Sequence, residues 1–255
     1  MDYFKINKNS WDKRARIHLK SEFYDVEGFL QGKSTLNDVE LSDIGDVSGK
    51  TLLHLQCHFG LDSLSWARLG ARVTGVDISS VAIAQAQTLS ERSGLHAEFI
   101  CSDIYTFGRS DIQKYDIVFT SYGALCWLPD IELWASIVSE RLKPGGIFYI
   151  AEFHPFYDIF SGYSYFHRTE PDIEEQGTYT ENDPGEKSTL ATWSHPISDV
   201  VNALLKHGIH ISQIKEYPFS PYNCFDGMEE RERGKFYLSY KGNDIPLIYT
   251  LKGAI

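Results

Sequence analysis

Residues 52–79 read LLHLQCHFGLDSLSWARLGARVTGVDIS. An apolar run to Leu55 is followed by a turn that closes on Gly60. An amphipathic stretch ended by Gly70 and a second apolar run to Asp77 complete a strand, loop, helix and strand. Units of this kind hold nucleotides, and dinucleotide loops need glycines so that backbone N–H groups can reach a pyrophosphate. Gln56 and His58 stand at two of those glycine places, and only Gly60 is left.

The alternation continues on the C-terminal side. Ser79 or Ser80 can cap a helix over VAIAQAQTLSERSG, which stops at Gly94. AEFICSD and YDIVFTSYG read as a third and a fourth strand, DIELWASIVSERL as a helix, and KPGG as a turn into a fifth strand, IFYIAEFH. Near-continuous apolar strands between amphipathic helices indicate an α/β fold with a parallel sheet covered on both faces. Residues 155–193 break the pattern with aromatics, Gly, Pro and acids, and read as an insertion with short β segments that acts as a lid. A helix capped by Ser194 or Ser198 and ended by Gly208 leads to a sixth strand, IHISQIKEYPF. GKFYLSY and IPLIYTLKGA either form a closing hairpin, or only the latter joins the sheet. On the N-terminal side, Trp11, Ala15, His18 and Leu19 have helical spacing and precede an aromatic-bearing loop. The resulting division is a helical cap over 1–48 and a main domain over 49–255, with 155–195 as lid.

The chain of 255 residues is 42% hydrophobic, enough for one large domain with additions. A formal charge of −11 argues against a nucleic-acid-coating surface, which draws on clustered Lys and Arg. Cys57, Cys101, Cys126 and Cys224 form no CxxC pair, and three of them lie in or beside apolar runs, so reduced, buried thiols are expected. The N-terminal residues lack a signal-peptide apolar core and no stretch approaches membrane-spanning length, so a cytoplasmic enzyme is expected.

Ligands of an open parallel sheet bind beyond the carboxyl ends of its strands. Asp77, 17 residues after Gly60, ends the second strand, where a carboxylate can accept both hydroxyls of a ribose; it can also simply cap the helix that DISS opens. Asp103, at the end of the third strand, reads as an acceptor for an adenine amino group or as a turn residue. Ile78 and Ile104 supply apolar faces beside it. S-adenosylmethionine has no phosphates, so losing two glycines damages its site less than a dinucleotide site.

The set LLHLQCHFG, ARVTGVDIS, CSD, YDIVFTSYGALCWLPD and LKPGGIFYIAEFHP, in this order and spacing, resembles the class I S-adenosylmethionine-dependent methyltransferases over residues 50–155. SHPISDVVNALLKHGIHI is similar to the later helix and strand of that family. The resemblance implies a Rossmann-like, doubly wound seven-stranded sheet of order 3-2-1-4-5-7-6, with only the seventh strand antiparallel. It implies S-adenosylmethionine as cofactor, with Gln56, His58 and Gly60 near the methionine part and Asp77 at the ribose. Ile78, Asp103 and Ile104 fall around the adenine, and Ser121 and Tyr122 follow the fourth strand at the methionine end. The family usually has an acid where this chain has His54, and a histidine supplies no fixed negative charge.

In small-molecule members of the family the pocket is covered by N-terminal helices and by segments after the fourth and fifth strands. Those places hold Trp11, His18, Tyr24, Trp127, Tyr163, Tyr165, His167, Trp193 and His195. Glu152 and His154 alternate at the end of the fifth strand; His154 is the candidate base and Glu152 its orienting partner or the contact for a substrate cation. His154 before Pro155 reads equally as a structural residue. No metal site is expected, because the histidines lack ligand spacing. The expected activity is methyl transfer to a small molecule by a monomer or homodimer, without nucleic acid or membrane. A catalytically silent cofactor-binding sensor or scaffold is the alternative, and an NAD-dependent oxidoreductase is disfavoured by the loop.

Overall fold

The computed structural model describes residues 1–110 and 112–255. Three helices come first: α1 (Tyr3–His18), α2 (Val26–Leu30) and α3 (Asp38–Ile44). Then β1 (Thr51–Leu55), α4 (Leu61–Arg68), β2 (Arg72–Asp77), α5 (Ser80–Ser93), β3 (Ala97–Cys101), α6 (Ile104–Ser110), β4 (Tyr115–Ser121), α7 (Ile131–Arg141) and β5 (Leu142–Phe153) alternate. After β5 come α8 (Phe156–Phe160), β6 (Asp172–Gln176), β7 (Ser188–Thr192), α9 (Ile197–Lys206) and β8 (His210–Tyr217). Short strands β9 (Phe219–Ser220), β10 (Glu229–Glu232), β11 (Lys235–Tyr237), β12 (Ser239–Tyr240) and β13 (Asn243–Asp244) precede the last strand, β14 (Ile248–Ala254).

The central sheet has seven strands in the order β3-β2-β1-β4-β5-β14-β8. Counted along this sheet, that is 3-2-1-4-5-7-6, and β14 runs antiparallel to both neighbours. The expected Rossmann-like architecture is therefore present. GKFYLSY does not enter this sheet: β11 pairs with β9 and β10 in a separate small one, so only IPLIYTLKGA joins. Hydrophobic alternation sets the two faces. Leu53 and Leu55 point into a core with Trp134 and Phe148, while Leu52 packs with Ile44 and Trp66 on the opposite side. Burying each large aliphatic or Phe side chain contributes about 1.5–3 kcal/mol, which is why both faces must be covered.

Ser79 caps α5, its hydroxyl accepting from the Ala82 N–H at 3.0 Å. Neither Ser194 nor Ser198 caps α9; Pro196 takes that place, since its fixed φ suits a helix start and no side-chain acceptor is needed for its absent N–H. The N-terminal helix is longer than the spacing from Trp11 to Leu19 alone suggests, because Asp2 caps it and starts it at Tyr3. Cys101 is exposed rather than buried, lying on the edge strand β3.

The 155–195 segment contains the antiparallel pair β6–β7, and α1 is tied to it. Asn7 donates its side-chain amide to the Ala191 carbonyl at 2.8 Å and accepts from the Ala191 N–H at 2.9 Å. Asp12 accepts from the Ser79 hydroxyl at 2.7 Å and the Val81 N–H at 3.2 Å. Thus α1 bridges the insertion and the start of α5, directly above the carboxyl ends of β1 and β2. Among the described residues no helix is long and apolar enough to cross a membrane.

Candidate functional site

A cavity of about 750 Å³ opens over the ends of β1, β2 and β4. Its floor is the β1–α4 loop, which takes a left-handed backbone three times: Gln56 (φ 57°), His58 (φ 51°) and Gly60 (φ 79°). A left-handed conformation costs a non-glycine residue roughly 1–2 kcal/mol, so neighbours must hold it. The Cys57 N–H donates to the Val76 carbonyl at 3.0 Å and the His58 N–H to Asp77 Oδ2 at 2.8 Å. The His58 ring packs among Trp11, Tyr24 and Phe59, with centroids 5.3, 5.2 and 4.2 Å away. Burial and the neighbouring His18 push its pKa well below the usual value, so the ring is neutral. Gly60 is required for space as well as φ, because a Cβ there would meet the Phe99 ring at 2.6 Å.

With the N–H groups of Cys57, His58 and Gly60 all bonded within the protein, the loop offers no row of free donors. It is not a phosphate cradle.

Asp77 lines the cavity and is 9% exposed. Besides His58 it accepts the Ser79 N–H at 2.8 Å through Oδ1. Each oxygen keeps one free lone pair. Burial raises its pKa to about 6, against the lowering effect of the two N–H donors. Asp103 also lines the cavity and accepts the Thr106 N–H at 2.9 Å, so it closes the first turn of α6 while facing the site. Ile78, Ile104, Ser121 and Tyr122 are brought to the same wall.

The place of the missing acid is now clear. His54 is buried, held by Ser63 Oγ at 2.8 Å and Ser121 Oγ at 3.3 Å, and burial drops its pKa to about 3. It is a neutral spacer. Asp62, in the first turn of α4, lines the cavity beside it. Its carboxylate accepts from Thr35 Oγ1 at 2.6 Å and Ser121 Oγ at 3.1 Å, and burial raises its pKa. A helix N-terminus favours an anion there. Across the loop, Gln56 donates its amide nitrogen to the Ala124 carbonyl at 2.7 Å, which leaves the amide oxygen buried without a partner. A carboxylate and a residue with an orphaned amide oxygen thus line the same cavity, a pair of acceptors that suits a cationic amine.

Neither catalytic candidate reaches the cavity. Glu152 turns into the loop after β4 and accepts the N–H groups of Gly123, Ala124 (2.8 Å), Leu125 (3.0 Å) and Phe153 (2.6 Å). His154 faces the other way. Its Nε2 bonds Glu216 at 2.8 Å, and Nδ1 accepts the Phe156 N–H at 3.1 Å. The two do not share a side: β5 ends at Phe153, so Glu152 turns to the 123–125 loop backbone while His154, beyond the strand, turns to Glu216 of β8. Their expected roles are corrected accordingly: Glu152 fixes the 123–125 loop and His154 pins the start of α8. Glu152→Gln should lower stability by about 2 kcal/mol, because an amide NH₂ placed against backbone donors leaves buried N–H groups unpaired; chemical denaturation measures this.

Of the expected pocket aromatics, Trp11, Tyr24 and Trp127 line the cavity, and Trp127 packs edge-on against Trp11 at 5.2 Å. His18 lies behind them, stacked on Tyr24 at 5.0 Å and bonded to Thr178 Oγ1 at 2.5 Å. Trp193 and Tyr163 line a second, adjoining chamber, and Tyr165 lines neither. His195 is buried against the Leu128 carbonyl with His167 stacked on it at 5.2 Å. Among the described residues no group of three His, Cys, Asp or Glu side chains is placed to hold a metal.

Sequence reasoning passed over Asp62, Thr35, Arg14 and the wall from Pro221 to Phe225. Asp62 carried a signal: it is an acid two residues after Gly60, at the far end of the loop whose near end has His54 in place of an acid. The other three come from remote segments.

Residues 52–146 match the family described as "Methyltransferase domain". The ubiquinone biosynthesis O-methyltransferase of Photorhabdus laumondii is 30% identical over 132 residues, which is 50% of this chain and 55% of the relative. The chain spans about half the length of the curated relatives it matches. An S-adenosylmethionine-dependent methyltransferase from Clostridium acetobutylicum superposes with a TM-score of 0.61 at 14% identity, covering 96% of this chain and 98% of that one. The glycopeptide N-methyltransferase MtfA in complex with S-adenosyl-L-methionine superposes with a TM-score of 0.54 at 17% identity, covering 85% of this chain and 91% of that one.

Proposed function

We propose that this chain, which carries a methyltransferase domain of the class I S-adenosylmethionine-dependent family over residues 52–146, transfers a methyl group from S-adenosylmethionine to a small molecule in the cytoplasm. The observation that carries this reading is the pairing, in one cavity, of an adenosine end with a cation-accepting end. Asp77 and Asp103, flanked by Ile78 and Ile104, form the first; Asp62 and the unpartnered Gln56 oxygen form the second.

When bound, the cofactor supplies a methyl on a positively charged sulfur. The protein's part is to hold and shield it. Asp77 accepts the ribose hydroxyls through its free lone pairs and Asp103 accepts from the adenine amino group. Asp62 and Gln56 take the ammonium of the methionine part, with Ser121 positioning Asp62 and Tyr122 shaping the wall. His58 and Gly60 act on the cofactor indirectly, by setting the loop path. Trp11, Tyr24 and Trp127 cover the cavity and exclude water from the reacting face. Among the described residues that line this cavity, Asp25 is taken by Lys33 and the Gly28 N–H, and His54 and His58 are buried. Orientation of the acceptor is therefore the main contribution to rate. Acidic net charge supports a small acceptor over a nucleic acid.

Calorimetric titration with S-adenosylhomocysteine tests the reading: one-to-one binding is expected, and no binding by folded protein overturns it. Cofactor binding must also depend on pH in one direction. A protonated Asp77 cannot accept two hydroxyls, and its pKa in the free protein is about 6. Affinity is therefore full above that value and falls as pH drops through it, by about tenfold per unit for one proton. Titrations at pH 5 and 7.5 check the sign; equal affinities exclude Asp77 from the site.

A further inference from the structure

The second chamber, about 830 Å³, adjoins the cofactor cavity and shares with it Arg14, Cys126, Trp127 and Tyr179. Two charges there lack partners. Arg14 is 5% exposed, yet among the described residues it forms no ion pair. Its Nη2 donates to the Gly177 carbonyl at 2.7 Å and, at 3.4 Å, to Gln176, while Nε is buried with no acceptor. Trp11 and Tyr179 flank the guanidinium at 5.7 and 5.9 Å. Asp183 acts on it only from a distance. A buried guanidinium without a directly bonded carboxylate is costly, and its fork matches a planar anion.

On the chamber's other side stands Asp158, whose carboxylate forms no hydrogen bond or ion pair among the described residues. Of the other acids lining the chamber, Glu174 accepts from Tyr163 at 2.6 Å, Asp172 pairs with Arg168, and Asp226 is exposed to solvent. The Cys126 thiol, between the two cavities, lies within electrostatic reach of both Arg14 and Asp158. The unpaired charges therefore belong to one space.

We propose that this chamber is the acceptor site and selects a small amphoteric molecule, its carboxylate docked on Arg14 and its ammonium group facing Asp158. The inference rests on the methyl-transfer reading and adds the acceptor's chemical class to it. Trp193 and Tyr157 supply apolar wall between the two charges, and Tyr179 lies beside the guanidinium.

The test uses methyl-labelled S-adenosylmethionine and a deproteinised cell extract. Ion exchange first divides the extract into amphoteric, amine-only, acid-only and neutral fractions. Label transfer is expected with the amphoteric fraction alone. It should fall by about tenfold or more in Arg14→Gln and in Asp158→Asn, with affinity for S-adenosylhomocysteine unchanged. Arg14→Lys, which keeps the charge and loses the fork, should restore part of the transfer. Transfer to any other fraction overturns the proposal, as does no transfer to any fraction by protein that binds S-adenosylhomocysteine. Weakened S-adenosylhomocysteine binding in Arg14→Gln also overturns it, since Arg14 would then serve the cofactor's own carboxylate. Absent S-adenosylhomocysteine binding by the unmodified protein would instead remove the methyl-transfer reading beneath it.

Discussion

Asp62→Asn should weaken S-adenosylhomocysteine binding by about 100-fold, a loss of roughly 3 kcal/mol, within the range for removing one partner of a buried charge pair. The substitution is nearly isosteric and keeps an oxygen for the bond from Thr35, so the fold should persist. What it removes is a buried carboxylate charge from the lining of the cavity. His54 cannot compensate, being neutral and bonded to Ser63 and Ser121. Restoring an acid at the strand position, His54→Asp in the Asp62→Asn background, should not rescue affinity, because the shorter side chain stays among Ser63 and Ser121, the hydrogen-bond partners of His54. Calorimetry on the three proteins reads this directly. An Asp62→Asn affinity equal to that of the parent would move the ammonium contact elsewhere.

Asp77→Ala should cost about 3 kcal/mol of cofactor affinity, near 100-fold, since two hydrogen bonds to a charged group are lost. It also releases the His58 and Ser79 N–H groups. The β1–α4 loop then loses the contact that holds His58 left-handed, and the thermal midpoint should fall as well. Asp77→Asn separates the two effects. Its side chain keeps one acceptor for the backbone, so stability should recover more than affinity does. An Asp77→Ala protein of unchanged affinity would exclude the ribose contact.

Much of the fold is legible because hydrophobic period and glycine punctuation are local. The runs ending at Leu55, Asp77, Cys101, Ser121 and Phe153 fix the parallel strands, and Gly60, Gly70 and Gly94 mark where helices begin or stop. The cofactor end of the site follows from the same logic, since Asp77 and Asp103 sit at strand termini that the alternation itself locates.

What failed to show in the sequence depends on which way a side chain turns once distant segments pack. Glu152 and His154 occupy the expected strand end, but the 123–125 backbone and Glu216 claim them. Arg14 looks like one more basic residue in a polar helix; only the packing of α1 against β6 and β7 buries it. GKFYLSY has good strand composition, yet its partners are β9 and β10, because β14 already fills the gap between β5 and β8.

The central claim, that the altered β1–α4 loop holds S-adenosylmethionine rather than a dinucleotide, is tested most directly by parallel calorimetric titrations of the purified chain with S-adenosylhomocysteine and with NAD. The expected result is one-to-one binding of S-adenosylhomocysteine, lost by about 100-fold in Asp62→Asn, with no heat from NAD. Binding of NAD, or of neither compound by folded protein, would contradict it.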